Sequence, residues 1–503
     1  MWDNAAFIRK ATTYDGRAVA SRVSILPGFD VFFFRDRGTI KQLFRNTDVG
    51  SPIPIYTFAI KHFFGMPERA VRVYRADDSG SGPKPHPESN VASDARPFHI
   101  THKGLLRGLT GPGLGPTTRR CVQALAKNLQ SYDGGRLPRQ PSKEWIQVAD
   151  LLHFLQHTLG SAMIEGHFGP TLLRLSPEYM DDLWELDAGM PWFSRQIPRL
   201  FVPGPHRARD RMIKCLTTWY DYARQNFDES HIDEHNNDDP IWGSGLNRER
   251  QQALRQVKEH DDRVIASLDV GHSWGSTTNV VGTTFMAVHH VFSDKDLLLR
   301  VRANLLKTFD MTNTNSSFES SLTMLDPKTV CSDTLLCAIY AEVLRLHGMA
   351  YFLVSAPKNR DVNLGRWKLP AGSMGLLDSG MSHMDPDFWN TRDGRHPVTE
   401  FWPDRFIVDP LDLDSGPVSP AFRERPYSQP KEREQDGVDQ NQPYFSLQGT
   451  EGIWFPYGAC LVLDFDIEYL DAKLEINRWR YGLGVDQPNH AVPFNIRRRH
   501  RQG

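Results

Sequence analysis

Two charged residues, one helical turn apart in an otherwise apolar stretch, are the first candidates for chemistry in this chain of 503 residues. Glu342 and Arg345 lie in DTLLCAIYAEVLRL, and residues three positions apart share one face of a helix. A carboxylate and a guanidinium buried there need further partners to offset their lost hydration. Arg405, in FWPDRF, is a candidate third member. The alternative is a solvated salt bridge worth less than about 1 kcal/mol, because Glu-x-x-Arg alone recurs by chance in many proteins.

A stretch of small and polar residues is the second candidate. GSTTNVVGTT (275–284) lies in the middle of the longest apolar pattern of the chain, 263–309. Gly, Thr and Asn are poor helix formers, and their side chains can compete for the hydrogen bonds of the backbone. A groove on one face of this helix would let a ligand pass close to the backbone. Close packing against a neighbouring helix, or an ordinary loop, explains the same residues without a ligand.

The cysteines are the third group to consider. Their number is odd, their spacing is scattered, and no Cys-x-x-Cys or His-rich tract accompanies them, which argues against a disulfide framework or a zinc site and favours a reducing compartment. Such cysteines are usually small, buried, apolar side chains. The five are Cys121, Cys215, Cys331, Cys337 and Cys460.

Composition narrows the class of protein. The chain is 39% hydrophobic and 24% charged with a net charge of −2, which is typical of a globular protein and disfavours a nucleic-acid partner or an acidic-membrane surface. The first ten residues already carry charges, so no signal peptide is expected. No apolar stretch reaches the roughly 18–20 residues that span a bilayer. Taken as written, the sequence predicts a soluble chain without an anchor.

Helical periodicity dominates the elements that must position these residues. Helices are predicted over HKGLLRGL (102–109), KEWIQVADLLHFLQHTL (143–159), MIKCLTTWYDYARQNF (212–227) and TLLCAIYAEVLRL (334–346). Short strands are predicted over RVSILPG (22–28), DVFFFR (30–35), RAVRVYR (69–75) and beside LGRWKLPAGS (364–373). The polar segments 75–97, 231–245 and 409–442 are predicted to be surface loops. We therefore expect one mainly α domain, 1–503, with a small β portion (α+β).

Five motifs follow one another in an order that resembles the cytochrome P450 family. They are AEVLRL (341–346), DVNLGRWKLPAG (361–372), SHMDPDFWN (382–390), FWPDRF (401–406) and WFPYG (454–458). Five motifs in the right order are far more specific than any one alone. The similarity spans 261–471 and is weaker upstream. It implies a cytochrome P450-like helical prism and a haem-thiolate monooxygenase.

The resemblance also implies roles for single residues. Glu342, Arg345 and Arg405 would form the family's buried structural triad, which stabilises the segment before the haem-binding loop. The middle of the long helix would lie over the haem, with Thr278 at the position of the family's acid and Asn279 at that of its alcohol. Asparagine can hydrogen-bond an oxygen ligand but is a poor proton relay. Family branches with asparagine here include hydroxylases and non-redox isomerases, so the reaction type stays open.

The segment that should hold the haem is the main departure from the family. Phe455 and Gly458 match the start of the haem-binding loop, where the family continues to a cysteine on a Gly-rich turn. This chain continues with ACLVLDFDIEYL (459–470), which resembles the end of the last long helix and the following strand. About 20–25 residues of the family pattern are thus expected to be absent, and the last helix truncated. Cys460 is the candidate iron ligand, although no glycine follows it.

The sequence leaves three functions open. The first is a haem b monooxygenase that oxidises an apolar small molecule with O₂ and electrons from NADPH–cytochrome P450 reductase, on the cytosolic face of the endoplasmic reticulum as in family relatives. The second is a non-catalytic remnant without haem. The third is a haem-thiolate isomerase or dehydratase of an oxygenated lipid, motivated by Asn279. The absent block and the absent family anchor indicate an incorrect exon assignment or a decayed gene.

Overall fold

The described part of the chain is mainly helical, with small sheets, which confirms the expected α+β class. The computed structural model describes residues 6–7, 10, 20–26, 29–45, 53–80, 82–85, 89–92, 95–109, 112–131, 145–232, 238–308, 332–356, 360–427, 441–451, 453–454, 465–471 and 473–498. Phe455, Gly458 and Cys460 lie outside the described residues, and so do the positions 459–464 where the truncated helix is expected.

Helices of very different lengths make up the body of the molecule. The first group is α1 (Arg37–Arg45), α2 (Ile53–His62), α3 (Glu68–Ala76), α4 (Pro97–Leu109), α5 (Leu114–Ser131), α6 (Leu151–Leu155), α7 (Ser161–Phe168) and α8 (Pro170–Leu175). The second is α9 (Tyr179–Ser194), α10 (Pro203–Asn226), α11 (Gly245–Leu254), α12 (Asp262–Ser293), α13 (Lys295–Thr308), α14 (Thr334–His347) and α15 (Ser379–His383). A π-helical turn, Gln156–Gly160, joins α6 to α7.

Fourteen described strands form five small sheets. They are β1 (Ala20–Leu26), β2 (Phe29–Phe34), β3 (Ile146–Val148), β4 (Asp238–Asp239), β5 (Gly243–Ser244), β6 (Gly348–Ser355), β7 (Val362–Leu364), β8 (Trp367–Leu369), β9 (Met374–Asp378), β10 (Ile407–Val408), β11 (Tyr444–Phe445), β12 (Phe465–Tyr469), β13 (Leu483–Val485) and β14 (Phe494–Arg498). The largest sheet has the order β1-β2-β9-β6-β13, so β13 is one of its edges. A second sheet has the order β12-β14-β3.

Residues 263–308 of the long apolar pattern lie in two helices rather than one. Helix α12 is capped by Asp261, whose side chain accepts a hydrogen bond from the backbone of Val264. It ends at Asp294, which has an extended backbone and accepts hydrogen bonds from the first amides of α13. An aspartate in this role begins a new helix instead of continuing the old one. Both faces of α12 are largely buried, so it positions much of the surrounding core.

Two predicted elements are of the wrong type. Residues 69–75 form part of helix α3 rather than a strand, because Ala70, Val71 and Tyr74 are the buried positions and follow a helical spacing. Within the predicted helix 143–159, residues 146–148 form strand β3 rather than helix. Its Ile146 pairs with Ile496 of β14, so a partner from the far end of the chain decided its conformation.

The polar segments contain buried side chains as well as exposed ones. Arg96 is buried, and its guanidinium donates to the backbone oxygens of Pro83 at 3.0 Å and Gly82 at 2.7 Å. Trp242 is also buried, within the hairpin of β4 and β5. Among the helices of the described residues, none is long and apolar enough to cross a membrane.

Candidate functional site

Glu342 lies at the centre of a buried cluster of charges on helix α14. Its Oε2 accepts a hydrogen bond from Arg345 Nε at 2.7 Å, and its Oε1 accepts one from Arg345 Nη2 at 2.8 Å. Oε1 also accepts hydrogen bonds from Arg405 Nε at 3.2 Å and from the backbone N–H of Trp402 at 3.1 Å. All three charged side chains are 0% exposed. The structure thus brings together the three residues that the sequence proposed as a triad.

The other N–H groups of the two buried arginines donate hydrogen bonds to backbone oxygens. Arg345 Nη1 donates to the carbonyl of His383 at 2.9 Å. Arg405 Nη1 donates to the carbonyl of Asn390, and its Nη2 donates to that of Pro397 at 3.2 Å. A buried guanidinium requires such acceptors, because it leaves water with five N–H groups. The cluster therefore connects helix α14 to the irregular segment 383–406.

Electrostatics restrict what this cluster can do. Burial lowers the pKa of Arg405, and the neighbouring Glu342 carboxylate opposes that change. Burial also lowers the pKa of His383 to about 3, with a smaller contribution from Arg345. His383 is therefore neutral at ordinary pH and adds no third cation. Because the charged atoms are fully buried, they cannot contact a bound molecule, and their contribution is to hold the fold.

The hydroxyl groups in the middle of α12 donate to the helix itself. Ser276, Thr278 and Thr283 each donate to the carbonyl four residues earlier, at 2.8 Å in all three cases. The helix nevertheless remains α-helical from Asp262 to Ser293. A hydroxyl engaged in this way offers only its oxygen lone pairs to a ligand. Gly275 is exposed, and a methyl group there would meet no atom within 4 Å, so open space adjoins this face.

Asn279 is connected to the edge of the largest sheet. Its Oδ1 accepts a hydrogen bond from the backbone N–H of Val485, in β13, at 3.3 Å. The neighbouring Gly484 has a φ of +121°, and a methyl group there would collide with Asn279 Oδ1. The two candidate catalytic residues, Thr278 and Asn279, therefore have different surroundings. Thr278 is buried against its own helix, whereas Asn279 is half-buried against a strand.

A buried carboxylate beside the middle of α12 was missed by the sequence analysis. Asp187, in α9, accepts hydrogen bonds at Oδ1 from Trp274 Nε1 and from Arg480 Nη2, both at 2.8 Å. Its Oδ2 accepts one from Gln487 Nε2 at 3.0 Å. These contacts join α9, the middle of α12 and the segment around β13. An aspartate in the apolar stretch LWELDAGMPWF was the available signal, since a buried carboxylate requires partners.

A pair of histidines also joins α12 to α14. His290 Nε2 lies 2.8 Å from His347 Nε2, and His347 Nδ1 lies 3.4 Å from a carboxylate oxygen of Asp486. Burial, with a contribution from His347, lowers the pKa of His290 well below its usual value. No group of three potential metal ligands was found among the described residues. These histidines thus form a hydrogen-bonded connection between elements.

The comparisons with known proteins agree with the resemblance to the cytochrome P450 family. No protein-family model matches the chain. The chain is 27% identical, over 99% of its length, to the cytochrome P450 monooxygenase efuG of Hormonema carpetanum and covers 86% of that protein. It is also 27% identical, over 98% of its length, to the cytochrome P450 monooxygenase fsoE of Humicola fuscoatra, with 84% covered. The chain is a homologue of the cytochrome P450 monooxygenases.

A more distant similarity extends to a mammalian enzyme. Over 64% of its length the chain is 20% identical to the 25-hydroxycholesterol 7-alpha-hydroxylase of Rattus norvegicus, of which it covers 72%. The cytochrome P450 family implies a haem iron, which a cysteine thiolate would have to hold.

None of the cysteines in the described part of this P450 homologue fits a haem iron. Cys121 packs against Met163 and Gly166, and burial raises the pKa of its thiol to about 12. Burial also raises the pKa of Cys215, which lies 3.8 Å from a carboxylate oxygen of Glu178. A carboxylate neighbour and an apolar environment both disfavour a thiolate. Cys337 lies within helix α14, without the glycine-rich turn that exposes a thiolate to iron. Cys331 and Cys460 lie outside the described residues.

Trp454, the first residue of the WFPYG motif (454–458), is bound to helix α14. Trp454 donates its indole N–H to the carbonyl of Ala341 at 3.2 Å, directly beside Glu342 in sequence. Trp454 also packs against the cluster that contains Phe406. The buried charge cluster and Trp454 are therefore attached to the same helix.

Proposed function

We propose that this P450 homologue is a monooxygenase that inserts one oxygen atom from O₂ into an apolar small molecule. Electrons would come from NADPH through cytochrome P450 reductase, and the cofactor would be haem b. The main support is the similarity to two cytochrome P450 monooxygenases over nearly the whole chain. The contacts of Glu342 with Arg345 and Arg405 add support, because the sequence resemblance assigns them the family's structural triad.

For the substrate we propose a rigid, sterol-like molecule that carries at least one oxygen atom. The rat relative is named for an oxygenated sterol, 25-hydroxycholesterol. Apolar Phe64 and polar Asn279 adjoin the same face of α12, because a methyl group on Gly271, two turns before Asn279, would lie 2.9 Å from the Phe64 ring. An apolar wall with a few polar groups is typical of a site for such a ligand.

The residues of α12 would bind and orient the substrate rather than transfer protons. When bound, a haem supplies the oxidising chemistry, while the protein supplies the pocket and its orientation. The Thr278 hydroxyl donates a hydrogen bond to a carbonyl of its own helix, so it can offer a bound molecule only its oxygen as an acceptor. Asn279 cannot act as an acid or a base at neutral pH. Asp187 would hold the wall that contains Trp274.

The decisive experiment is a reduced, carbon-monoxide difference spectrum of the full chain expressed with a haem precursor. A strongly red-shifted Soret band is expected if a thiolate holds the iron. It should disappear in Cys460→Ser and persist in Cys215→Ser, because Cys215 is buried beside Glu178. A chain that retains no haem would overturn the proposal and direct attention to the transcript around the codons for Gly458 and Ala459.

A haem-free binding protein is the second candidate. The observation that favours it is the lack of a suitable thiolate among the described cysteines, Cys121, Cys215 and Cys337. A cooperative unfolding transition of the haem-free chain would support this function over loss of folding. Sterol binding without haem would support it further.

An isomerase or dehydratase of an oxygenated lipid is the third candidate. It is favoured by Thr278 and Asn279, neither of which can relay a proton as an acid–alcohol pair would. Turnover that requires NADPH and reductase would argue against it. For every haem-dependent version we propose the endoplasmic reticulum membrane, cytosolic face, as the location, on the basis of the family resemblance alone.

A further inference from the structure

The orientation of the Asn279 side chain is determined by a strand from the other end of the chain. Val485 lies at the end of the edge strand β13, and its N–H donates to Asn279 Oδ1 at 3.3 Å. A backbone N–H can only donate, so the side-chain atom that faces it must be the amide oxygen. The amide N–H₂ is therefore on the other side. Among the described residues, none accepts a hydrogen bond from Asn279 Nδ2, which leaves a donor available on a half-buried side chain.

Gly484 makes this arrangement possible for two reasons. Its φ of +121° lies in a region that side-chain-bearing residues rarely adopt. A methyl group at this position would also collide with Asn279 Oδ1. The strand can approach α12 closely only because both conditions are met by glycine. The same close approach is seen at Gly282, one turn further along the helix, where a methyl group would lie 3.3 Å from Val485 Cβ.

We propose that Gly484 is a positioning residue that keeps Asn279 as a hydrogen-bond donor toward an oxygen atom of the bound molecule. The inference rests on the proposed function, because it takes the face of α12 around Gly275 and Asn279 as a wall of the binding site. In this interaction Asn279 donates the hydrogen bond and the bound molecule accepts it. The site would select ligands with an acceptor oxygen, a hydroxyl or a carbonyl, at the point that Asn279 reaches.

A double-mutant cycle tests whether Gly484 acts through Asn279. Gly484→Ala alone should lower stability for two reasons. The new methyl group displaces the amide of Asn279, and the alanine has to adopt a φ that is strained for a residue with a side chain. In the Asn279→Ala background the collision is absent, so Gly484→Ala should cost clearly less. The control is Gly372→Ala, which has a φ of +69° and no atom within 4 Å of an added methyl group. The stability loss from Gly372→Ala should be the same in both backgrounds. If the loss from Gly484→Ala is also the same in both backgrounds, the proposal is overturned.

Hydrogen exchange measures the bond itself. The Val485 amide should exchange about fivefold faster in Asn279→Ala and in Gly484→Ala, the effect of losing one ordinary hydrogen bond. Asn279→Asp should retain slow exchange, since a carboxylate oxygen still accepts from Val485. Unchanged exchange in Asn279→Ala would overturn the assigned orientation.

Ligand binding separates a donor from a merely structural asparagine. The probe is 25-hydroxycholesterol, delivered in cyclodextrin to the full chain and followed by tryptophan fluorescence. Asn279→Asp and Gly484→Ala should both weaken binding about tenfold, because the first has no N–H₂ group and the second misplaces it. Binding by Asn279→Asp equal to that of the natural chain would overturn the donor role. If the natural chain does not bind this sterol, the proposed substrate class is wrong, while the cycle and the exchange measurement still decide the role of Gly484.

Discussion

Replacing Glu342 by glutamine tests the buried charge cluster most directly. The carboxylate accepts four hydrogen bonds, two from Arg345, one from Arg405 and one from the backbone of Trp402. Glutamine has the same shape but only one accepting oxygen, so an amide N–H₂ group would face a guanidinium N–H. It also leaves two buried guanidinium groups without an anion.

The expected loss follows from the burial of all three partners. Breaking a buried ion pair by removing one partner costs about 3–5 kcal/mol. The entropy of unfolding is about 2.1 cal/mol/K per residue, or roughly 1 kcal/mol/K for a chain of 503 residues. The midpoint of thermal unfolding should therefore fall by about 3–5 °C. It can be followed by circular dichroism at a single scan rate.

Asp404→Asn is the matched control, because it alters a carboxylate beside Arg405 that faces solvent. Asp404 pairs with Arg300 at 2.6 and 2.9 Å, and the two side chains are 34% and 49% exposed. An exposed pair of this kind is worth less than about 1 kcal/mol, which corresponds to a fall of about 1 °C or less. If Glu342→Gln and Asp404→Asn lower the midpoint equally, the burial argument is refuted.

Two further predictions concern pH and the carboxylate of α9. Burial lowers the pKa of His167 and of His289 to about 4 and that of His383 to about 3. The unfolded chain therefore binds more protons below about pH 6.5, and stability should fall as pH falls, by about 1.4 kcal/mol per histidine at pH 5.5. Urea unfolding at pH 7.5 and 5.5 measures this, and His289→Gln should reduce the difference; a midpoint that does not fall would contradict it. Asp187→Asn should lower stability by about 2–4 kcal/mol and speed amide exchange over 480–487, because buried partners lose their acceptor. Asp181→Asn on the same helix, where the side chain is 74% exposed, should change neither; equal effects of the two would refute the role of Asp187.

The sequence predicted some elements well because their signals are local. Helix α14 follows directly from the periodicity of TLLCAIYAEVLRL. The strand predicted over 69–75 was wrong because alternating arginine and apolar residues fit a strand as well as a helix. Only the burial of Tyr74 beside α2 and α4 decides between the two. Strand β3 was missed because its partner lies about 350 residues away, and no local pattern reveals such a pairing.

The candidate site divides in the same way. Residues that form a motif, such as Glu342, Arg345 and Arg405, were found because their types and spacing are recognisable in order along the chain. Residues that act through contacts with distant segments were missed. Asp187 and Gly484 are examples, since each is ordinary in its own segment and acquires a role only beside α12.

By itself, the sequence determined the family resemblance and the α+β class and singled out Glu342, Arg345 and Arg405, because ordered motifs and helical periodicity are properties of the chain alone. The tertiary structure decided which hydrogen-bonding groups remain available. It placed the hydroxyl of Thr278 on its own helix, turned Asn279 Oδ1 toward Val485, and surrounded Asp187 with three donors. The physical reason is that a donor or acceptor is occupied by whatever packing brings near it, and packing depends on segments that lie hundreds of residues apart.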